Sequence, residues 1–240
     1  MKAVIVGGTS GLGKALAAEF MAAGWTVAAT GVREAAIKGF QAEYPAAAAS
    51  RLDLSDTAAG RARLLDLLLE DGGADAVVIS AGHYDDNPGS DWALEEKAIA
   101  VNAAGCAAAL NAAFIYLKAA GKGRLACVSS IGGVRGNARC PAYNAAKAFI
   151  FNYLEGLRQQ AALAGSPVTI TNVVPAYLGA RQTAAARVIL RAVLAGRRSV
   201  YVPGYWRYLA AAYRNLPDLL HEKMARWHYR LLRHFIRTNS

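Results

Sequence analysis

The sequence predicts an α/β fold in which a doubly wound, parallel, seven-stranded sheet carries helices on both faces. Short β-branched segments alternate with segments rich in alanine and leucine as far as Pro203, and strands that alternate with helices form parallel sheets. Right-handed crossovers turn this order into a doubly wound sheet. Of the 240 residues, 55% are hydrophobic and 18% are charged, which is typical of a single globular core.

Strands are predicted where β-branched residues cluster, and helices fill the intervals between them. In chain order the predicted strands are Ala3–Val6, Thr26–Thr30, a segment around Arg51–Leu52, Ala76–Ser80, Arg124–Ser129, Val168–Val174 and Val200–Val202. The predicted helices are Leu12–Ala23, Glu34–Ala42, Asp56–Glu70, Asp91–Ala119, Pro141–Ala164 and Thr183–Ala195. Beyond Pro203 the alternation stops, so we predict one domain at residues 1–203 and a basic helical appendage at 204–240.

Cysteine usage and the start of the chain predict a cytoplasmic protein. Cys106, Cys127 and Cys140 are odd in number and form no CxxC pair, so we expect them to pack in a reducing compartment. Met1–Gly8 reaches a glycine pair too early for a secretory signal. The uncharged segment Ala98–Leu117 is 20 residues long but contains two asparagines and a glycine. We therefore predict a helix buried in protein and not a membrane span.

Positive charge is concentrated at the C-terminus. The net charge is +10, and residues 197–240 contain nine Lys/Arg against two acids, a local net charge of +7. A helix over 216–237 would gather Leu220, Met224, Trp227, Leu231 and Phe235 on one side and Lys223, Arg226, Arg230, Arg233 and Arg237 on another. This pattern predicts either peripheral contact with an anionic membrane or packing of the apolar stripe on the domain or a second subunit. Nucleic acid is least favoured because no binding motif accompanies the charge.

A glycine-rich turn separates the first predicted strand from the first helix. Gly7, Gly11 and Gly13 give the spacing GxxxGxG. A strand, a glycine turn and a helix start present backbone N–H groups and the positive end of a helix dipole to a pyrophosphate. A tight turn that uses glycine for its backbone alone is the alternative reading.

A tyrosine and a lysine are candidates for acid–base chemistry. Tyr143 and Lys147 are four residues apart in a predicted helix, so their side chains project from the same face. A phenol is a poor acid–base catalyst at neutral pH, and a nearby ammonium stabilises its phenolate form. Ser130 lies 13 residues before Tyr143, at the end of the fifth predicted strand.

Taken together, these motifs resemble the short-chain dehydrogenase/reductase family over about residues 1–203. The resemblance is carried by the glycine turn, Asp53, Asn102, Ser130, Tyr143 and Lys147, in this order and spacing. It implies a Rossmann-like fold and hydride transfer between a nicotinamide cofactor and a carbonyl or alcohol carbon. It also implies that Tyr143 gives or takes the proton while Ser130 orients the substrate oxygen. Lys147 would hold the nicotinamide ribose and tune the tyrosine, and Asn102 would anchor a water that relays protons.

The resemblance also implies the cofactor contacts. They are Gly7, Thr9, Ser10, Gly11, Leu12, Gly13, Asp53, Leu54, Ser80, Ala81, Gly82, Tyr143, Lys147, Pro175 and Leu178. At the end of the second strand Gly31 stands where an NAD-binding acid would fall, and Arg33 follows two residues later. A guanidinium can pair with a 2′-phosphate, so NADP(H) is predicted over NAD(H). Arg33 as an ordinary surface residue is the alternative.

The substrate side is less specific. Few residues separate Leu178 from the next helix, so the site is either open to a bulky substrate or closed by another segment. Candidate lining residues are His83, Tyr84, Arg135, Asn137 and Tyr177, each on a loop after a strand. No His/Asp/Glu cluster has metal-ligand spacing, so no metal is expected.

We predict a ketoreductase that acts on a bulky, lipophilic alcohol or ketone. A non-catalytic NADP-binding sensor or scaffold is the alternative, although such a protein would have no chemical need for Asn102, Ser130, Tyr143 and Lys147. The helices Asp91–Ala119 and Pro141–Ala164 carry more apolar residues, including Phe149, Ile150, Phe151 and Tyr153, than one sheet face can cover. A homodimer or homotetramer is therefore expected.

Overall fold

The computed structural model describes residues 1–227 and contains one parallel seven-stranded sheet of order β3-β2-β1-β4-β5-β6-β7. The strands are β1 Lys2–Val6, β2 Thr26–Gly31, β3 Ala48–Arg51, β4 Ala76–Ile79, β5 Arg124–Val128, β6 Thr169–Pro175 and β7 Ser199–Val202. Each strand pairs in parallel with its neighbours. The predicted doubly wound α/β fold is confirmed.

Helices cover both faces of the sheet. They are α1 Gly11–Ala22, α2 Glu34–Glu43, α3 Thr57–Leu69, α4 Trp92–Ile99, α5 Cys106–Ala119, α6 Pro141–Leu163, α7 Gln182–Leu194 and α8 Trp206–Arg214. A π-helical segment, Ala100–Gly105, joins α4 to α5, and short 3-10 turns lie at Glu70–Gly72, Ile131–Gly133 and Gly179–Arg181. Residues 218–227 are again helical.

Three local features differ from the sequence prediction. The third strand ends at Arg51, and Leu52 buries its side chain in the core while its N–H still donates to the Gly31 carbonyl at 3.0 Å. The helix predicted at Asp91–Ala119 contains the π-helical segment. The tail helix predicted from Leu216 begins only after Pro217, whose carbonyl accepts the N–H groups of Leu220 and His221 at 3.0 Å. A proline is well suited to a helix start because it has no N–H to satisfy there.

The core consists of two apolar layers, one on each face of the sheet. Val4 and Val6 face the layer formed with α3, α5 and α6, whereas Ala3 and Ile5 face the layer formed with α1 and α7. This alternation buries every residue of β1, as expected for a central parallel strand.

The helical stretch Trp92–Ala119 is long and apolar enough to cross a membrane, but half of its most apolar window is buried. α5 packs on α3 and β5, so the stretch is a core helix, as predicted. The three cysteines are also buried, as expected, with Cys106 Sγ 3.5 Å from Cys127 Sγ.

Candidate active site

The glycine turn after β1 packs so closely on its own backbone and on the loop after β4 that Gly7 and Gly13 admit no side chain. A Cβ at Gly7, where φ is +81°, would lie 2.5 Å from the Ala81 nitrogen, and a Cβ at Gly13 would lie 2.0 Å from the Gly7 oxygen. Ser10 begins α1 without capping it through its side chain. The turn is thus a backbone cradle at a helix N-terminus, and it fits the pyrophosphate of a dinucleotide.

At the end of β2, Thr9 occupies the space where an acidic side chain would have to lie. A Cβ at Gly31 would be 2.1 Å from Thr9 Oγ1, and Thr9 is only 5% exposed. A carboxylate at position 31 would therefore require Thr9 to move. The packing of Thr9, in the glycine turn, therefore excludes an acidic side chain at position 31.

Two arginines flank this end of the sheet. Arg33 is exposed and begins α2. Arg51, which the sequence analysis missed, pairs in register with Gly31 and donates to the Val32 carbonyl at 3.1 Å and to Asp53 at 3.4 Å. The predicted sheet could have indicated Arg51, because β2 and β3 are adjacent parallel strands that end at the same edge and so bring Arg51 beside Gly31.

Asp53 lies in the loop after β3 and accepts hydrogen bonds from Ser55, at 2.7 Å from the hydroxyl and 3.0 Å from the backbone N–H. These bonds lower the pKa of Asp53. The cap of α3 is Asp56, which accepts from the Ala59 N–H at 3.0 Å, so Asp53 is not bound up in capping that helix. Leu54 is buried against the π-helical segment, because a Cβ at Gly105 would lie 1.9 Å from the Leu54 oxygen.

Asn102 and Lys147 meet behind the loop after β4, which contains Ser80, Ala81 and Gly82. A Cβ at Gly82 would lie 3.0 Å from Asn102 Oδ1 and 3.3 Å from Lys147 Nζ. Asn102 is fully buried and donates to the carbonyls of His83 at 2.7 Å and Ala98 at 3.0 Å. It also accepts the His83 N–H at 3.1 Å. A π-helical turn at a functional residue is a recurrent feature of enzymes, and here it carries Asn102.

Lys147 is a buried cation one helical turn beyond Tyr143. It is 4% exposed and donates to the Val128 carbonyl at 3.1 Å. Its Nζ lies 5.6 Å from the centroid of the Tyr143 ring. The shared helix face predicted for the two residues is therefore observed.

Tyr84, a predicted lining residue, packs its ring edge-on against Tyr143 with the centroids 5.1 Å apart. Its hydroxyl donates to Asp86 at 2.8 Å. Burial, together with that carboxylate, raises the pKa of Tyr84, so Tyr84 stays a neutral phenol at neutral pH. At this site its ring packs on that of Tyr143.

Ser130 begins the 3-10 turn after β5, and its Oγ accepts the Gly132 N–H at 3.1 Å. The turn packs tightly on α6, since a Cβ at Gly133 would lie 2.7 Å from the Lys147 carbonyl carbon. The structure thereby brings the serine turn against the helix that carries Tyr143 and Lys147.

The remaining candidates lie on loops that follow β4, β5 and β6. His83 Nε2 lies 2.5 Å from Asp85 Oδ2, and Asn137 accepts the Arg139 N–H at 2.8 Å. Pro175 ends β6, Leu178 is partly buried against the core, and Tyr177 is 88% exposed at a φ of +46°. Only the 3-10 turn Gly179–Arg181 separates Leu178 from α7, as the sequence predicted, and three residues separate β6 from that turn.

The apolar side of the predicted tail helix is exposed as far as it is described. Leu220 is 48%, Met224 51% and Trp227 65% exposed. The other residues of the predicted helix faces, Arg230, Leu231, Arg233, Phe235 and Arg237, lie outside the described residues.

Comparison with known proteins gives matches along most of the chain. A sequence model of the family described as short chain dehydrogenase matches residues 1–188. An uncharacterized oxidoreductase of Myxococcus xanthus is 33% identical over 188 residues, covering 76% of this chain and 74% of that protein. A 2-dehydro-3-deoxy-L-rhamnonate dehydrogenase (NAD(+)) of a Sphingomonas species is 31% identical over 177 residues, covering 72% of this chain and 70% of the relative. A solved short-chain dehydrogenase from Streptomyces avermitilis superposes with a TM-score of 0.76 at 22% identity, over 98% of each chain.

Proposed function

Because the chain belongs to the short-chain dehydrogenase family and is an oxidoreductase, we propose that it is an NADP(H)-dependent ketoreductase for a bulky, lipophilic substrate. The observation that carries this proposal is the packing of buried Lys147 and Asn102 behind Gly82, beside Tyr143 and the glycine cradle. Burial of a lysine and an amide costs free energy unless both are hydrogen-bonded, and here the carbonyls of Val128 and His83 hold the two side chains against the same loop.

The proposed chemistry divides the reduction between cofactor and protein. The bound nicotinamide cofactor supplies the hydride for the carbonyl carbon. Tyr143 donates a proton to the carbonyl oxygen, and Ser130 orients that oxygen by a hydrogen bond. Lys147 is held in place by the Val128 carbonyl, and its charge favours the phenolate that remains on Tyr143 after proton donation. Asn102, fixed by both backbone groups of His83, positions the relay that returns the proton.

The preference for NADP(H) is supported by the adenosine end of the site. Thr9 fills the space for an acid at Gly31, while Arg33 and Arg51 supply cations at the ends of the two neighbouring strands. The Sphingomonas relative is named as an NAD(+) enzyme. We therefore propose that the two proteins differ in cofactor preference. The Arg51 side chain is 65% exposed, and a 2′-phosphate would replace its bonds to the Val32 carbonyl at 3.1 Å and to Asp53 at 3.4 Å.

Titration of NADPH and NADH by fluorescence tests this preference. We expect tighter binding of NADPH, and we expect Arg33→Ala and Arg51→Ala each to weaken NADPH by about tenfold with little effect on NADH. Arg63→Ala removes an arginine bound to Glu70 at 3.0 Å on α3 and is the control. Equal affinity of the wild type for the two cofactors would refute the preference.

Turnover separates the proposed enzyme from a non-catalytic sensor or scaffold. NADPH oxidation is followed at 340 nm with a panel of ketones that runs from small soluble compounds to bulky lipophilic ones. The proposal expects cofactor oxidation that rises with the apolar bulk of the ketone. Tight NADPH binding without oxidation by any ketone would favour the sensor.

We also propose that the protein is a homodimer or homotetramer. On α6, Phe149 is 42% exposed and stacks on Tyr153 with ring centroids 5.5 Å apart. On α5, Ile115 is 53% exposed. These side chains support association through the outer faces of the two helices.

The tail supports a reversible contact between a cytoplasmic protein and an anionic membrane. Leu220, Met224 and Trp227 are exposed beside Lys223 and Arg226, and each basic residue near an anionic surface contributes on the order of 1 kcal/mol. Cosedimentation with anionic and neutral vesicles tests this proposal. We expect salt-sensitive binding to the anionic vesicles alone, reduced by charge reversal at Lys223 and Arg226. If the protein binds neither kind of vesicle, the membrane contact is refuted and the apolar stripe is instead a contact between subunits.

A further inference from the structure

We propose that Arg135 fastens the C-terminal segment 204–221 across the mouth of the site, so that this segment forms the outer wall of the substrate pocket. The inference rests on the proposed function and deepens it, because the wall selects bulky aromatic or apolar ketones. Arg135 acts as a positioning residue and does not touch the reacting atoms.

The path of the chain brings the segment to the correct edge of the sheet. β7 ends at Val202 beside Pro175 at the end of β6, and α8 follows directly. The buried Ala210 seats α8 on the domain. Because all strands are parallel, the start of α8 lies at the same edge as the ends of β5 and β6, where Ser130 and Pro175 are found.

Arg135 ties the far end of α8 to the loop that follows Ser130. Its guanidinium donates to the Leu216 carbonyl at 2.7 Å and to the Arg214 carbonyl at 3.4 Å. It also donates to the Asp218 carboxylate at 2.7 Å. The Arg135 side chain is only 18% exposed. One planar cation thus holds the end of α8 and the start of the next helix, at the point where helix carbonyls favour a positive charge.

The near end of α8 contacts the loop after β6. Tyr177 and Trp206 have ring centroids 5.8 Å apart. Tyr213, near the far end of α8, bonds to His221 at 2.7 Å and packs edge-on against its ring. The segment therefore bridges the loops after β5 and β6, and it carries aromatic rings along that bridge.

The bridging segment covers the side of the pocket that the short loop after β6 leaves open. Three residues are too few to cover a substrate between Pro175 and the 3-10 turn at Gly179–Arg181. α8 and the residues after it lie beside that gap, with rings that match an apolar or aromatic substrate. The size and chemistry of the pocket are set by this wall, which Arg135 keeps in place.

The test compares Arg135→Gln with Asp218→Asn and with Arg63→Gln as a matched control far from the segment. Hydrogen exchange of the amides of 206–221 measures docking without any substrate. We expect Arg135→Gln to speed this exchange at least about tenfold, as loss of several charge-assisted bonds requires. Asp218 is 91% exposed, so Asp218→Asn should have a smaller effect. Arg63→Gln should have none.

Kinetics then test the wall. For Arg135→Gln we expect kcat/KM for 2-acetylnaphthalene to fall at least about tenfold relative to kcat/KM for butanone, with the Kd of NADPH unchanged. Unchanged exchange in Arg135→Gln would overturn the fastening, and faster exchange with an unchanged ratio of the two ketones would overturn the wall. If the wild type binds NADPH but turns over neither ketone, the proposed function fails, while exchange still decides the fastening.

Discussion

Replacing Gly13 with alanine tests whether the glycine turn is a cofactor cradle or only a tight turn. The new Cβ would lie 2.0 Å from the Gly7 oxygen, whereas real Cβ contacts essentially never fall below 3.0 Å. The turn or the start of α1 must therefore move by at least about 1 Å, which is enough to disrupt hydrogen bonds that span only about 2.7–3.2 Å. We expect NADPH affinity to fall at least about tenfold, or about 1.4 kcal/mol.

Stability and binding should respond differently at a matched glycine. Gly39 is also helical, but nothing lies within 4 Å of its added Cβ. Gly39→Ala should raise the free energy of unfolding by about 0.5–1 kcal/mol and leave NADPH binding unchanged. Gly13→Ala should gain this helix preference but lose about 1–3 kcal/mol to overpacking. Cofactor fluorescence and urea unfolding of both variants provide the assay. Wild-type NADPH affinity in Gly13→Ala would refute the cradle.

Three further predictions concern charge and assembly. Lys147→Ala should lower both NADPH affinity and kcat, because the same buried ammonium binds the nicotinamide ribose and stabilises the Tyr143 phenolate. Cofactor titration measures the affinity and steady-state kinetics measure kcat; a fall in only one of the two would contradict this prediction. The bonds from Ser55 lower the pKa of Asp53. The Asp53 carboxylate therefore adds to the free energy of unfolding at pH values above the ordinary carboxyl pKa, and this contribution is lost as the pH falls through the lowered pKa. The urea stability of Asp53→Asn should therefore approach that of the wild type in acid, and a constant difference from pH 7 down to about 2 would argue otherwise. Phe149→Asp should convert an oligomer to a monomer in light scattering, whereas a wild-type monomer at micromolar concentration would reject the interface.

Most of the fold follows from local sequence signals. β1 is recognisable because its run of Val, Ile and Val ends at the glycine turn, and β5 because a short apolar segment follows Gly123. β3 at Ala48–Arg51 was displaced in the prediction because alanine favours helix over strand and supplies no β-branched signal. The π-helical segment was missed because it lies inside a continuous helical pattern. Asn102 stands among alanines and valine, so nothing in the periodicity marks the extra residue in that turn.

The site was predictable where its residues share one element or one motif. Tyr143 and Lys147 share a helix face, and the glycine turn is continuous in sequence. Arg51 was missed because its partner at Gly31 lies on another strand. The contacts of Arg135 span 79 to 83 residues, and no local pattern reports them. Burial of Thr9 against Gly31 is likewise a packing effect that appears only after the strands are paired.

Tyr143→Phe is the most direct test of the central claim, that the Tyr143 hydroxyl transfers the proton. The ring is half-buried and packs on Tyr84, and the substitution keeps that ring while removing only the hydroxyl. NADPH should bind to the variant with wild-type affinity, while NADPH oxidation with a ketone that the wild type reduces should slow by about 10²–10⁴-fold. A near-wild-type rate with normal NADPH binding would contradict the account.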